Sequence, residues 1–338
     1  MRTIHLFLLA ALATAPLPAA KNDLKITFID TEGGQATLLV TPSGQSLLID
    51  AGWPGYNGRD SDRIVAAAKK AGLTKIDFLL VTHYHMDHVG GVPELAAKFP
   101  IGTLIDHGTN TETNRGAKEL EAGYQKVLAT GAKRLTVKPG DTLPLKDIHV
   151  EVVSARGERI PKALKGGGQK NALCGQEPKK AEDPTENGRS IGVLITYGKF
   201  RFVDLGDLTW NKELDLVCPD HMIGPVDLYL TTHHGMDASG PAAMVHGLRP
   251  RVAVMNNGAK KGGSPAAWKV VSTSPGLADM WQVHYSIAGA KDANVPEERI
   301  ANLEEKCQGH NIEVEAGKNR TLTVTNTRNG TKKTYKPL

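Results

Sequence analysis

Thr82-His83-Tyr84-His85-Met86-Asp87-His88, followed by Val89-Gly90-Gly91, is the stretch whose reading decides this fold. Three imidazoles and a carboxylate stand within six residues. That is a dense set of nitrogen and oxygen donors, suited to zinc and related divalent ions. Alternate spacing puts His83 and His85 on the same side of an extended segment. A tight turn can then bring Asp87 and His88 to a second position nearby, so the stretch holds parts of two adjacent metal sites. Residues 76–81 before it form an apolar run, as expected of a strand buried on both faces. Gly90-Gly91 gives the backbone room to turn into the next helix.

Working outward, residues 24–29 alternate as a strand does, and 36–40 and 46–49 read as two more strands around a Thr41-Pro42-Ser43-Gly44 turn. Residues 60–71 read as an amphipathic helix stopped by Gly72. A short helix at 92–99, a strand at 101–105 and a helix at 115–130 follow. Strands are expected at 135–137 and 149–153, a hairpin at 191–205 across Gly198-Lys199, and strands at 226–230 and 252–255. Residues 241–248 and 265–272 look helical. Asn329-Gly330 marks a final hairpin turn. Residues 156–189 are rich in Gly, Lys and Pro without a period, and read as a long surface insert. A strand meander that gives way to alternating strands and helices, and then roughly repeats, suits two packed sheets with helices on their outer faces. No internal repeat and no linker divides the chain.

The 338 residues carry a net charge of +5, much of it in Lys179-Lys180, Lys260-Lys261 and Lys332-Lys333, which read as solvated surface. Aromatic residues are 5% of the chain, too few for a single-strand nucleic-acid platform. No Gly-x-Ser-x-Gly elbow and no phosphate-binding Gly-Lys-Ser/Thr loop is present. Arg2, an apolar run at 4–13, then small residues and prolines to Ala20 read as a secretory signal over residues 1–20, cut near Ala15 or Ala20. Residues 21–338 are then a single domain, with the insert at 156–189 and the terminal hairpin within 311–338, expected in the periplasm or outside the cell. No other segment is apolar enough to cross a membrane. An exported context permits a disulfide. Of Cys174, Cys218 and Cys307, the expected pair is Cys174 with Cys307. None has zinc-cysteine spacing.

The H-x-H-x-D-H run after a strand resembles the signature of the metallo-β-lactamase superfamily. The resemblance implies an α+β fold, a four-layer αβ/βα sandwich, and a metal-dependent hydrolase. It makes Asp50, in Asp50-Ala51-Gly52, a structural aspartate and gives Asp207, in Gly206-Asp207, a bridge between two metals. It places the last histidine ligand in His233-His234-Gly235. The residue before Gly235 resembles members of the superfamily at large, and the one nearer the strand resembles its nuclease branch. Within the superfamily the chain is similar to the lactamase-like domain of the bacterial competence DNA-uptake channel protein. Four segments carry this: Phe28-Ile29-Asp30 leading into Gly34-Gln35-Ala36, then Asn187-Gly188-Arg189-Ser190, then residues 202–208, then His233-His234-Gly235. The chain departs from that pattern at Gln35, where an aspartate is usual, and at Ser264-Pro265, where a His-Pro is usual. A third histidine in a Gly-His pair between residues 89 and 206 is missing.

His107, after the strand at 101–105, is the candidate to replace that histidine, with Asp106 beside it. His83, His85 and His107 are then expected to hold one metal, and Asp87, His88 and His233 or His234 the other. Two zinc ions, with manganese as the alternative, would share Asp207 and a bridging hydroxide that attacks an ester or phosphodiester. Asp87 and Asp207 are the catalytic candidates; Arg59, Asn187, Ser190 and Tyr285 are the candidate substrate contacts, Tyr285 as a donor to a developing oxyanion. Partners are a small-molecule or phosphodiester substrate, with nucleic acid suggested by the competence resemblance and a lactone or β-lactam allowed by the breadth of the superfamily. The competing reading is an exported metal- or ligand-binding module without turnover, prompted by Gln35, Ser264 and the missing histidine.

Overall fold

In the computed structural model, which describes residues 23–337, two runs of short apolar strands build two sheets. The signal read at residues 1–20 lies outside the described residues. The first run gives β1 (Leu24–Phe28), β2 (Thr37–Val40), β3 (Ser46–Ile49), β4 (Ile76–Leu80), β5 (Ile101–Asp106) and β6 (Lys133–Thr136). The first three strands pair antiparallel, and β3 through β6 pair parallel. Parallel pairing requires crossovers. These are α1 (Arg59–Lys70), α3 (Val92–Lys98) and α4 (Arg115–Ala129), while α2 (Met86–Val89) is a single turn inside the histidine stretch. As the spacing predicts, α1 buries Ile64, Ala67 and Ala68.

The second run gives β7 (His149–Ala155), β8 (Glu158–Arg159), β9 (Gln169–Lys170), β10 (Gly192–Tyr197), β11 (Phe200–Asp204), β12 (Asp220–His221), β13 (Leu228–Leu230), β14 (Val252–Met255), β15 (Asp279–His284) and β16 (Ile300–Asn302). Eight of them form a sheet in the order β16-β15-β14-β13-β11-β10-β7-β8, and β9 with β12 makes a separate ribbon. Helices α5 (Trp210–Val217), α6 (Ala242–Leu248) and α7 (Pro265–Ser272) join the later strands. The chain then returns to the first sheet. There β17 (Ile312–Ala316), β18 (Leu322–Asn326) and β19 (Lys332–Tyr335) extend the edge of β1.

Three buried clusters show four layers. The inner one combines Leu39, Leu47 and Leu80 of the first sheet with Val193, Phe202 and Val254 of the second. Phe28 and Phe202 meet edge to face across it, with ring centroids 5.8 Å apart. The other two seat α1, α3 and α4 on the outer face of the first sheet and α5, α6 and α7 on that of the second. No helix among the described residues is long and apolar enough to cross a membrane.

The insert corrects one expectation. It folds back on the second half of the chain: β9 pairs with β12, Leu164 N donates to Met222 O at 2.8 Å, and Asn171 N donates to Pro219 O at 3.0 Å. That folding back brings Cys174 to Cys218, and these two form the disulfide, not Cys174 with Cys307. Cys307 sits elsewhere, beside Asp30 and Arg63. The closed loop spans 44 residues, for which chain entropy gives about 4 kcal/mol. A Cys174→Ser/Cys218→Ser variant is expected to unfold at markedly lower urea. An unchanged urea midpoint would show that the ribbon alone holds the insert.

Candidate metal centre

Strand ends bring the chemistry together. Asp50 follows β3, Thr82 to His88 follow β4, Asp207 follows β11, and His233 and His234 follow β13. All lie at the C-terminal ends of neighbouring strands, where side chains from both sheets converge. Two glycines make this packing possible. A Cβ on Gly91 would lie 2.0 Å from Ala51 O, and Gly206 combines φ of 55° with a Cβ position 2.9 Å from Thr82 Cβ.

Four side chains form a compact set: Asp87, His88, Asp207 and His234, all buried. His88 Nε2 lies 3.1 Å from Asp87 Oδ2, 3.2 Å from Asp207 Oδ2 and 3.3 Å from His234 Nε2. His234 Nε2 lies 3.2 Å from Asp87 Oδ2 and 3.3 Å from Asp207 Oδ1. Two imidazole nitrogens facing each other across two carboxylates are held together by a cation, a shared proton or a metal ion. Separations of 3.1–3.3 Å are of the size found between donors that share one zinc ion at about 2.0 Å. Asp207 Oδ1 is buried and accepts no hydrogen bond from the described residues. The residues present therefore fit a divalent ion.

Electrostatics point the same way. Burial would lower the His88 pKa, but Asp207, Asp87 and Asp50 together hold it well above the usual imidazole value. Burial would raise Asp87 and Asp207, but His88 and His234 respectively lead the groups that hold them well below the usual carboxylate range. The pocket keeps its carboxylates ionised and gathers positive charge around them.

Asp50 organises this set from behind. It accepts from Thr82 N and Thr82 Oγ1, each at 2.7 Å, and lies 2.7 Å from His88 Nδ1. A carboxylate on Nδ1 fixes the tautomer that leaves Nε2 free for a cation. Asp50→Asn is expected to weaken zinc binding by roughly 10–100-fold, measured by competition with a chelator. Unchanged affinity would mean that Thr82 and the surrounding packing orient His88 without it.

Both members of the His233-His234 pair face Asp207. His233 Nε2 is 3.3 Å from Asp207 Oδ2, and its Nδ1 is 3.2 Å from Ser239 Oγ. Only His234 belongs to the compact set. The two have φ of 56° and 55°, the left-handed region that non-glycine residues rarely adopt. His233 N donating to Gly206 O and Gly263 N donating to His234 O, both at 3.0 Å, hold this turn in place.

The first metal position expected from the sequence is arranged differently. His83 is buried, its Nε2 has no hydrogen-bond partner among the described residues, and burial lowers its pKa well below the usual value. His85 turns to Glu112, with Nε2 2.9 Å from Oε1. His107 does not join them. Its Nε2 lies 2.8 Å from Glu186 Oε2, beneath the Tyr84 ring. Glu186 also accepts from Thr111 N and Oγ1, and these partners hold its carboxyl at about 2 against the upward pull of burial. Asp106 is engaged with Arg134, Tyr124 and Thr136.

The candidate substrate contacts divide. Ser190 Oγ and Asn187 Oδ1 are buried without partners among the described residues, and Ile191 N donates to Thr82 O at 2.9 Å, which sets this segment against the metal loop. Arg59 is committed elsewhere, to Glu32 at 2.9 Å and Asp60 at 2.6 Å. Tyr285 packs into the outer hydrophobic layer of the second sheet, because the alternation of β15 sends its neighbour His284 to the other face.

Residues that sequence reasoning missed complete the site. Lys261, read as solvated surface, contacts Asp87 Oδ2 and lies 4.9 Å from the centre of the Trp53 ring. Gln35, noted as a departure, donates its amide to both oxygens of Asp204 at 3.1 and 3.0 Å, and its backbone N bonds Asp87 O at 3.0 Å. Burial raises Asp204 to about 7. Only the long-range fold could reveal these partners.

A family model described as the metallo-β-lactamase superfamily matches residues 30–169. The four layers are those of a metallo-β-lactamase fold. The chain is 35% identical over 92 residues to a hydroxyacylglutathione hydrolase of Rhodopseudomonas palustris, covering 27% of this chain and 34% of that protein. It thus spans about a third of that relative's length. It is 24% identical to a UPF0173 metal-dependent hydrolase of Cupriavidus necator, over 76% of this chain and 83% of that one. Among solved structures it is similar to the metallo-β-lactamase fold protein YhfI of Bacillus subtilis, with TM-score 0.48 and 12% identity over 77% of this chain and 96% of that one. The first two of these are hydrolases by name, and none of the three carries the competence-type resemblance drawn from the four segments.

Proposed function

We propose that this protein is a metal-dependent hydrolase of the metallo-β-lactamase superfamily, with Asp87, His88, Asp207 and His234 holding the catalytic cation. The observation that carries the reading is the convergence of two buried imidazole nitrogens on two buried carboxylates at 3.1–3.3 Å. A divalent ion there supplies Lewis acidity, making water nucleophilic near neutral pH and polarising the substrate oxygen. The chain supplies the rest. Asp50 keeps His88 oriented, Ser239 orients His233, and Ser190 and Asn187 face the loop with unused polar atoms.

The surroundings support a small carboxyl ester or thioester, with an apolar part and an anionic group, over a nucleic acid. The exposed large apolar side chains among the described residues are Tyr56, Met86 and Ile287. Met86 lies in the histidine stretch, Tyr56 on the loop whose Pro54 packs on Gly90, and Ile287 on the chain bonded to the Lys261 loop through Ala259. Lys261 is the cation at hand for the anionic group. Lys261→Ala is expected to raise KM for a carboxylate-bearing ester by on the order of tenfold or more while leaving neutral esters within about twofold. Equal effects on both would remove Lys261 from substrate binding.

The test of the whole reading is protein loaded with zinc or manganese and assayed on a thioester, a lactone, nitrocefin and bis(p-nitrophenyl) phosphate. Turnover of the ester class supports the proposal. Turnover of the phosphodiester alone supports the competence-type alternative. One observation favours a second reading, a metal-binding module without turnover: His85 is closed by Glu112. Full metal content with no turnover on this panel would establish it. Export belongs to the same proposal, and N-terminal sequencing of the mature protein checks it.

A further inference from the structure

A second cluster of metal-type side chains lies outside this centre. Asp30, after β1, His284, at the end of β15, and Cys307, in the segment between β16 and β17, come together with ligand atoms all within 4.8 Å of one another. Asp30 and His284 are fully buried, and Cys307 is half-buried. His284 Nε2 lies 2.7 Å from Asp30 Oδ1, Cys307 Sγ lies 3.0 Å from Asp30 Oδ2, and Sγ lies 3.9 Å from Nε2. Glu32 Oε1 stands 3.8 Å from the same sulfur.

We propose that Asp30, His284 and Cys307, with Glu32 at hand, form a second cation site of structural type, taking zinc or a similar borderline-soft divalent ion. Nitrogen, sulfur and carboxylate donors are the set zinc prefers. The donors come from three separated parts of the chain, so an ion among them would tie β1 of the first sheet to β15 of the second. The site is built before any ion arrives. Asn302 Nδ2 donates to His310 O at 2.9 Å and Asn302 Oδ1 accepts from His310 N at 3.0 Å, closing the segment that carries Cys307. Asp30 N donates to Asn311 Oδ1 at 3.0 Å. His284 Nδ1 has no partner among the described residues, so the ring's polar contacts run through Nε2.

Charge balance accounts for Arg63, which lies 2.9 Å from Asp30 Oδ2 and 3.5 Å from Sγ. Without an ion, Cys307 is a thiol donating to Asp30. On binding, its proton leaves to solvent, and the thiolate, Asp30, Glu32 and Asp60 then carry four negative charges against one each from Arg63 and Arg59 and two from the ion. The site also lies at the base of the loop 31–35, whose Gln35 N bonds Asp87 O. An ion here braces the catalytic metal loop without touching it.

The test uses cobalt(II), because Cys307 is the one cysteine outside the disulfide, and the first centre has no sulfur ligand. Non-reduced full chain loaded with cobalt is expected to show a near-ultraviolet thiolate-to-cobalt band. The band should persist in Asp207→Ala, which empties the first centre, and vanish in Cys307→Ser together with one equivalent of metal. Should Cys307→Ser fail to fold, His284→Gln keeps the thiol and should weaken the band or shift it. In the Asp207→Ala background, zinc should still raise Tm, and in Asp207→Ala/Cys307→Ser it should not. Cobalt filling the first centre with no thiolate band, or a band that survives Cys307→Ser, overturns the proposal. Neither readout depends on turnover, so failure of the hydrolase reading is seen separately.

Discussion

Asp207→Ala is expected to lower kcat on any substrate of the panel by on the order of 10³-fold or more, the scale on which a lost transition-state charge stabiliser is felt. Asp207 has the most to lose. Its carboxylate is buried and faces His88, His233 and His234 at 3.2–3.3 Å. Removing it leaves three imidazoles around one carboxylate, and the cation loses a charged ligand. Two measurements check this, steady-state kinetics and metal stoichiometry by calorimetry. They should fall together, at unchanged fold by circular dichroism. Activity within tenfold of wild type would mean that the reaction does not run at this cluster.

The second large effect concerns stability. Glu213 on α5 is wholly buried; Gly240 N donates to its Oε2 at 2.5 Å, while Oε1 has no partner among the described residues. Burial pushes its pKa up to about 8. The folded state therefore holds a proton that the unfolded chain releases near pH 4.5. That contribution to stability is complete below pH 4.5 and is lost as pH rises toward 8, because there the unfolded chain binds fewer protons than the folded one. The ceiling is about 5 kcal/mol at 1.36 kcal/mol per unit. Glu213→Gln, neutral at every pH, should match wild type near pH 4.5 and exceed it by several kcal/mol at pH 9 in urea unfolding. A difference that does not change with pH would show that Glu213 ionises in place.

Much of the fold could be read from local pattern. The apolar run of β4, the stop at Gly72 after α1 and the turn at Asn329-Gly330 are each written in a few neighbouring residues, and the structure follows them closely. The ligand candidates were legible for the same reason, since His83 to His88 sit together in sequence. What failed was whatever depends on partners far along the chain. His107 stands at the right strand end, but Glu186, 79 residues later, takes its imidazole. Lys261 lies in a lysine pair that looks like surface until β14 delivers it to Asp87, 174 residues earlier. Cys174 meets Cys218 because of the β9–β12 ribbon, whose two-residue strands carry no pattern of their own. Tyr285 is the residue the sequence singles out at the end of β15, but the pleat puts its neighbour His284 inside and Tyr285 outside.

The return of β17 to β1 has a consequence for how the chain is made. β1 is made long before its partner β17, so one of its two edges stays open until residue 316 has been synthesised. Until then its unpaired backbone groups are a template for any other extended chain. The alternation Leu24, Ile26, Phe28 makes that template sticky on one face, while Lys25 breaks it on the other. Closure over nearly 300 residues is a search of high contact order, and such searches are slow. While the chain between them is being made, the strand that leads to Asp30 is half-dressed, and the arrival of β17 decides whether the first sheet closes or aggregates.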